Sequence, residues 1–325
     1  MTKEARGHAG FFVATAAALL LGGCMSLPQT EALRATPPTG LPPRVELERV
    51  PFFQQDDFLC GPATLAMVLT AAGKPSSVES LTPLVYLPGR HGSLQAEMMG
   101  ATRRAGLVAY PLAPHMEALM RELAAGRPAI VLLNLSFRLA PVWHYAVVVG
   151  YDQDIGKFIV RSGRKPRDEW SYAFLEFLWK DSGYWALLAL PPGELPATAR
   201  EAEFAAAVAA LEQAGGRREA RESYRALLGR WPQNLIGLFG LGNVEYTLGD
   251  LAAAESAFRR ATAAHPQSGP AWNNLAHVLA QRGRLAEAEA AARKAIELGG
   301  PTLAEANKTL ESILARRPGG AATSR

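Results

Sequence analysis

An α+β domain with a mostly antiparallel sheet, followed by an all-α repeat array, is the fold this chain of 325 residues predicts. Three observations carry it. Apolar, β-branched runs such as Ala129–Leu133 and Tyr145–Val149 read as strands, and they come after helical segments rather than alternating with them. Beyond Pro196 the composition turns abruptly to Ala, Glu, Arg and Leu. That C-terminal part then repeats itself with a period of 34 residues.

Hydrophobic residues make up 49% and charged residues 20% of the chain, too apolar for disorder and enough for a sizeable core. The net charge of +4 is scattered, without a Lys/Arg-rich block, so no nucleic acid is expected as a partner. Two cysteines make neither a disulfide framework nor a tetrahedral zinc site unaided.

Residues 1–23 read as a secretion signal. Lys3 and Arg6 precede the apolar run Ala9–Leu21, and small residues follow at Gly22 and Gly23. Such a run spans only about 20 Å as a helix, short of a bilayer's hydrocarbon core. Leu21-Gly22-Gly23-Cys24 resembles the lipobox of bacterial lipoproteins, which implies cleavage before Cys24 and acylation of that residue. Met25, where an Asp would direct otherwise, implies the outer membrane, with the chain lipid-anchored in the cell envelope and facing the periplasm. Residues 24–44, with Pro28, Pro37, Pro38, Pro42 and Pro43, read as an extended spacer.

Residues 45–193 read as the mixed domain. The patterning predicts helices over 61–73, 93–105, 115–125 and 170–180, and strands over 106–111, 129–135, 144–151, 157–162 and 184–190. In the array, Pro232-Gln233 recurs as Pro266-Gln267, Gly249 as Gly283 and Ala254 as Ala288, while Gly215 and Tyr224 match Gly249 and Phe258 one period later. This pattern resembles tetratricopeptide repeats, which are stacked helix-turn-helix units. Three units over 200–233, 234–267 and 268–301 with a capping helix over 302–316 are expected, then a disordered tail over 317–325. Their expected role is to present a concave face to a protein partner or to the substrate.

Cys60 stands at the start of an apolar helix, with Pro62 in the first turn and Gly61 leaving room above the sulfur. Free N–H groups and the helix dipole at that terminus are expected to favour thiolate and lower the thiol pKa. His144, at the mouth of the strand Tyr145–Tyr151, is the natural proton acceptor. His91, in the loop Leu87–Leu94, is its only credible rival, and that loop reads either as a cleft wall or as a structural turn leading into a helix capped by Ser93. Asp56 and Asp57 lack a His partner and are not read as metal ligands; no cofactor is expected.

The segment Gln55-x(4)-Cys60-Gly-Pro-Ala, followed by His144-Tyr-Ala-Val-Val-Val-Gly-Tyr-Asp, resembles the papain-like cysteine peptidases related to the bacteriocin-processing, double-glycine-leader family. More narrowly, it resembles lipoproteins joining such a domain to tetratricopeptide repeats. The resemblance implies peptide-bond hydrolysis with Cys60 as nucleophile, His144 as base and Gln55 as oxyanion donor, Gln54 being the competing choice. A Gln side chain and the Cys60 N–H have the right chemistry for a developing negative oxygen.

The family's third member is an Asp that orients the imidazole, and here the chain departs from it. Asp152 lies eight residues from His144, about 26 Å along a strand, and with Asp154 reads as a turn residue before Gly156. A strand returning after that turn brings Ser162 to the position of the expected Asp. A hydroxyl can accept the imidazole N–H but adds no negative charge. An alternative reading is therefore a catalytically weak peptidase-like binding scaffold, and a third is acyl transfer or amide hydrolysis on a non-peptide substrate. Nothing resembles a phosphate-binding loop, so no nucleotide is expected.

Overall fold

The computed structural model describes residues 26–56 and 58–316. The signal segment with Cys24, residue Asp57 and the tail over 317–325 lie outside the described residues.

The chain opens with a short helix, α1 (Pro28–Ala35), where an extended spacer was expected. Pro28 occupies the first helical turn, where its missing N–H costs nothing, and no further proline interrupts before Pro37. Thr30 and Leu33 are buried against the domain. Then follow β1 (Arg44–Glu46), α2 (Cys60–Ala71), α3 (Val78–Val85), α4 (Gln95–Arg104), β2 (Val108–Pro111), α5 (Met116–Ala124), β3 (Ala129–Asn134) and β4 (Trp143–Asp152). Strands β5 (Lys157–Ser162) and β6 (Lys165–Ser171), helix α6 (Tyr172–Trp179) and strand β7 (Ala186–Leu190) complete the mixed domain.

The seven strands form one antiparallel sheet in the order β2-β7-β3-β4-β5-β6, with β1 added against the far half of β4. Inner strands alternate their side chains between two cores. Ile130, Leu132, Val147 and Val149 face α2, α3 and α4, whereas Val131, Leu133, Ala146 and Val148 face α5 and α6. Covered on both faces, these strands are continuous apolar runs.

Two elements escape the sequence patterning. Strand β6 is charged and mostly exposed because it is the sheet edge, and the helix expected from residue 170 begins only after Ser171, whose hydroxyl caps it. Helix α3 is announced only by a capping box at Ser77 and Ser80, and it carries Pro83 inside.

The C-terminal part is a run of helical hairpins: α7 (Glu201–Gln213) with α8 (Arg217–Arg230), α9 (Leu235–Thr247) with α10 (Leu251–Ala264), and α11 (Gly269–Gln281) with α12 (Leu285–Leu298). Helix α13 (Leu303–Ala315) follows them. The 34-residue period has a conformational cause. Gly215, Gly249 and Gly283 end the first helix of each hairpin at φ of +96°, +88° and +75°, a region most side chains avoid.

The array does not hang free of the sheet. Helix α7 covers the edge strand β2, with Phe204 against Tyr110 (ring centroids 6.2 Å apart), and one continuous core runs from the sheet into the repeats. Below this contact, the fully buried carboxylate of Glu122 accepts hydrogen bonds from the Ala197 and Thr198 amides (3.1 and 2.7 Å) and from the Thr198 hydroxyl (2.6 Å). Arg127 pairs with the same carboxylate.

Candidate active site

One end of the sheet gathers the C-termini of β2, β3 and β5 and the N-termini of β4, β6 and β7. A cleft of about 570 Å³ opens there, lined among others by Gln55, Cys60, His91, Ser93, Trp143 and His144. Helix α2 delivers Cys60 as its first residue, and β4 delivers His144 as its second. The two line the same cleft, and the backbone N–H groups of Tyr145, one step along from His144, of Gly61 and of Cys60 itself each act to lower the thiol pKa.

His144 Nε2 lies 2.9 Å from the Ser162 hydroxyl, at the end of β5. Gln55 is buried and latched to the next residue: its amide donates to the Gly163 carbonyl (3.0 Å), and its side-chain Oε1 accepts from the Gly163 amide (2.7 Å). Its Nε2 donates to the Tyr145 carbonyl (3.4 Å), and the residue lines the cleft. Gln54, the competing choice, is exposed and points to Asp56. Asp152 and Asp154 sit at the opposite end of the sheet, where the Asp152 carboxylate accepts the amides of Asp154 and Ile155 in a turn.

The electrostatics correct one expectation. Burial pushes the Cys60 thiol up, against the lowering by the amides of Tyr145, Gly61 and Cys60 itself. The helix terminus acts in the expected direction, but desolvation outweighs it. Burial also drives His144 down to about 4, and desolvation is the cause of that shift. Both shifts favour an uncharged thiol beside an uncharged imidazole at neutral pH, rather than a preformed ion pair. The acid limb of kcat/KM for peptide hydrolysis is therefore expected near pH 4, since His144 accepts a proton only when neutral and is neutral above that value. A pH–rate profile with its acid limb near 6.5, the ordinary histidine value, would contradict this.

The Ser162 hydroxyl touches the His144 ring without bringing a charge to it. Ser162→Ala is expected to lower kcat by about tenfold with KM nearly unchanged, as for loss of a single uncharged orienting hydrogen bond. Ser162→Asp is expected to raise the acid limb above pH 4, because a carboxylate beside the ring favours imidazolium. Steady-state kinetics on both variants check this; identical profiles in all three proteins would remove Ser162 from the site.

Two further features complete the cleft. Ser93 does not cap its helix, which begins at Gln95 without a side-chain cap. Its hydroxyl instead packs over Gly61, where an added Cβ would stand 2.2 Å from Ser93 Oγ, and it is buried without a partner next to the residue that follows Cys60. The space above Gly61 thus belongs to Ser93. His91 lines the cleft in tilted contact with Phe58 (centroids 5.2 Å apart), so of the two readings of the Leu87–Leu94 loop the cleft wall is the one seen. Among the described residues, no group of three His, Cys, Asp or Glu is arranged to hold a metal ion.

Comparison with known proteins places these features. Residues 47–184 match the model of the Peptidase_C39 like family, and residues 204–269 and 242–301 match a tetratricopeptide repeat model. The chain carries a Peptidase_C39-like domain followed by tetratricopeptide repeats. A C39-like peptidase of Bacillus anthracis aligns over 45% of this chain and 97% of its own, at 19% identity and a TM-score of 0.38. The secretion chaperone SycD of Yersinia enterocolitica, in complex with a peptide of the translocator YopD, aligns over 34% of this chain and 90% of its own, at 23% identity and a TM-score of 0.33. Among curated relatives, a probable biofilm formation methyltransferase of Pseudomonas putida is 34% identical over 34% of this chain, and the match spans about a quarter of that protein's length (27%).

Proposed function

We propose that this protein is a cysteine peptidase of the cell envelope, held to the membrane by acylated Cys24, whose repeats hold a protein partner or the substrate. The observation that carries the reading is the cleft where α2 and β4 meet, which Cys60, His144 and Gln55 line together, with the Ser162 hydroxyl 2.9 Å behind the imidazole.

In the reaction, Nε2–H of His144 donates to Ser162 and Nδ1 carries the basic lone pair. Cys60 Sγ attacks the peptide carbonyl while its proton passes to Nδ1. The carbonyl π pair becomes an oxyanion, held by the Cys60 amide and Gln55 Nε2–H. The C–N bond then breaks, and the leaving amine takes the proton from His144. Water, deprotonated by the same imidazole, hydrolyses the thioester and regenerates the thiol. The repeats offer a hollow of about 380 Å³, lined by Tyr224, Leu235, Ile236, Phe239 and Asn243 among others, of apolar character suited to a peptide side chain. The outer membrane is the expected location, from Met25.

Incubation with peptide-derived electrophiles at neutral pH, followed by mass spectrometry, tests the reading. Covalent acylation confined to Cys60, with cleavage of a peptide library, is the expected result. A binding platform is the second reading, favoured by the uncharged Ser162 behind His144. Cys60 left unmodified and no library member cleaved, with peptides still bound, would establish it instead.

A further inference from the structure

The loop joining β3 to β4 is an ordered apolar prominence. Leu139 is 95%, Phe137 66%, Val142 54% and Trp143 48% exposed. The loop is nonetheless held: the Asn134 side chain accepts from the Ser136 and Val142 amides (3.1 and 3.0 Å) and donates to Asp181, and Phe137 pairs with Ala140 across the tip. Val142 and Trp143 line the catalytic cleft, but Phe137 and Leu139 do not. A substrate in the cleft therefore leaves the tip uncovered. Segment 135–143 holds one cation, Arg138, and no carboxylate. Aromatic and aliphatic side chains flanked by a cation suit the headgroup–acyl boundary of a bilayer.

The N-terminal end of the described chain gives this prominence its partner. The Gln29 and Thr30 amides, in the first turn of α1, donate to the buried Glu176 carboxylate (3.0 and 2.7 Å). Gln29 Nε2 donates to the Pro114 carbonyl, and its Oε1 accepts from the Met116 amide. Pro114 lies just past the C-terminal end of β2, and Tyr184, which also donates to Glu176, lies just before β7. Both are at the cleft end of the sheet. Cys24 is five residues before Gln29, a reach of at most about 18 Å. The docking of α1 thus fixes where the chain leaves for its anchor, at the end of the sheet that also carries the cleft and the apolar tip.

We infer that the Phe137–Leu139 tip inserts into the surface of the bilayer to which Cys24 is anchored, so that the cleft opens along the membrane and takes peptide segments lying on or emerging from it. This rests on the reading of Cys24 as lipidated. Acyl chains at Cys24 supply the first attachment, and the tip supplies a second that sets orientation.

The test uses the full chain purified from membranes and reconstituted into phosphatidylethanolamine–phosphatidylglycerol vesicles containing nitroxide-labelled phosphatidylcholine. In a Cys60→Ala background, Leu139→Cys or Ile155→Cys carries a bimane fluorophore. Ile155 is 56% exposed and lies in the β4–β5 turn at the opposite end of the sheet. Lipid quenching at least about threefold stronger at position 139 than at 155 is expected. Equal or no quenching at both, while the protein still floats with the vesicles, overturns the proposal and leaves the anchor standing. Quenching at 139 that appears only after peptide is added makes the tip a cleft wall and also overturns it. A mass without acyl groups on Cys24, with no flotation, overturns the anchor and the proposal together. None of these readouts requires peptidase activity.

Discussion

Cys60→Ala is expected to reduce peptide hydrolysis by at least about 10³-fold, the scale on which covalent catalysis is lost with its nucleophile. Alanine is the best helix former and removes only one atom from the first position of α2, so the fold survives the change. Cys60→Ser is expected to be as inactive. A neutral imidazole at about 4 is too weak a base to activate a hydroxyl, although it can receive a thiol proton once the sulfur begins to attack. Circular dichroism and turnover of a cleaved library peptide, measured side by side on the three proteins, give the answer. Turnover by the alanine variant within fivefold of the parent would place the chemistry elsewhere.

Glu122→Ala is expected to destabilise the protein by about 3–5 kcal/mol, the cost of removing one partner from a buried charged pair. Its carboxylate is fully buried and receives two backbone amides, a hydroxyl and a guanidinium. Truncation leaves the Ala197 and Thr198 amides without an acceptor at the point where the chain passes from sheet to repeats. Because Phe204 and Tyr110 pack beside this point, the loss is expected to weaken the coupling of the two parts, and urea unfolding should broaden or split into two transitions. A loss below about 1 kcal/mol with a single sharp transition would show that the apolar contact alone holds the repeats in place.

What could be read from the sequence divides along physical lines. Strands β3, β4 and β5 were legible because both their faces are buried, which makes them apolar throughout. Strand β6 was not: at the edge, Lys165-Pro-Arg-Asp-Glu satisfies solvent rather than a core. The repeat period was legible through glycines that backbone conformation demands. Helix α1 was hidden by the proline count around it, because what decides its state is a carboxylate 146 residues away at Glu176. In the site, Cys60 and His144 announced themselves by residue type and by their places at the ends of a helix and a strand. The return of Ser162 to His144 followed from a turn that Asp152 and Gly156 made plain. The sign of the thiol shift did not follow. Helix termini are visible in a sequence, but the depth at which a side chain ends is set by the loops over it, here Ser93 and its neighbours. Ser93 itself read as a cap because sequence carries no record of Gly61 beneath it.

Gln55 and Ser162 are governed by one short stretch of backbone. Gly163 takes both amide groups of Gln55, and the preceding residue holds the His144 ring. His144 and Gln55 are thus geared together through adjacent residues, and a rotation of the β5–β6 turn displaces the partners of both at once. The exposed Arg164 and Lys165 that follow form the outer handle of that gear. A ligand that shifted them would move the partners of both side chains together, because those partners are consecutive residues.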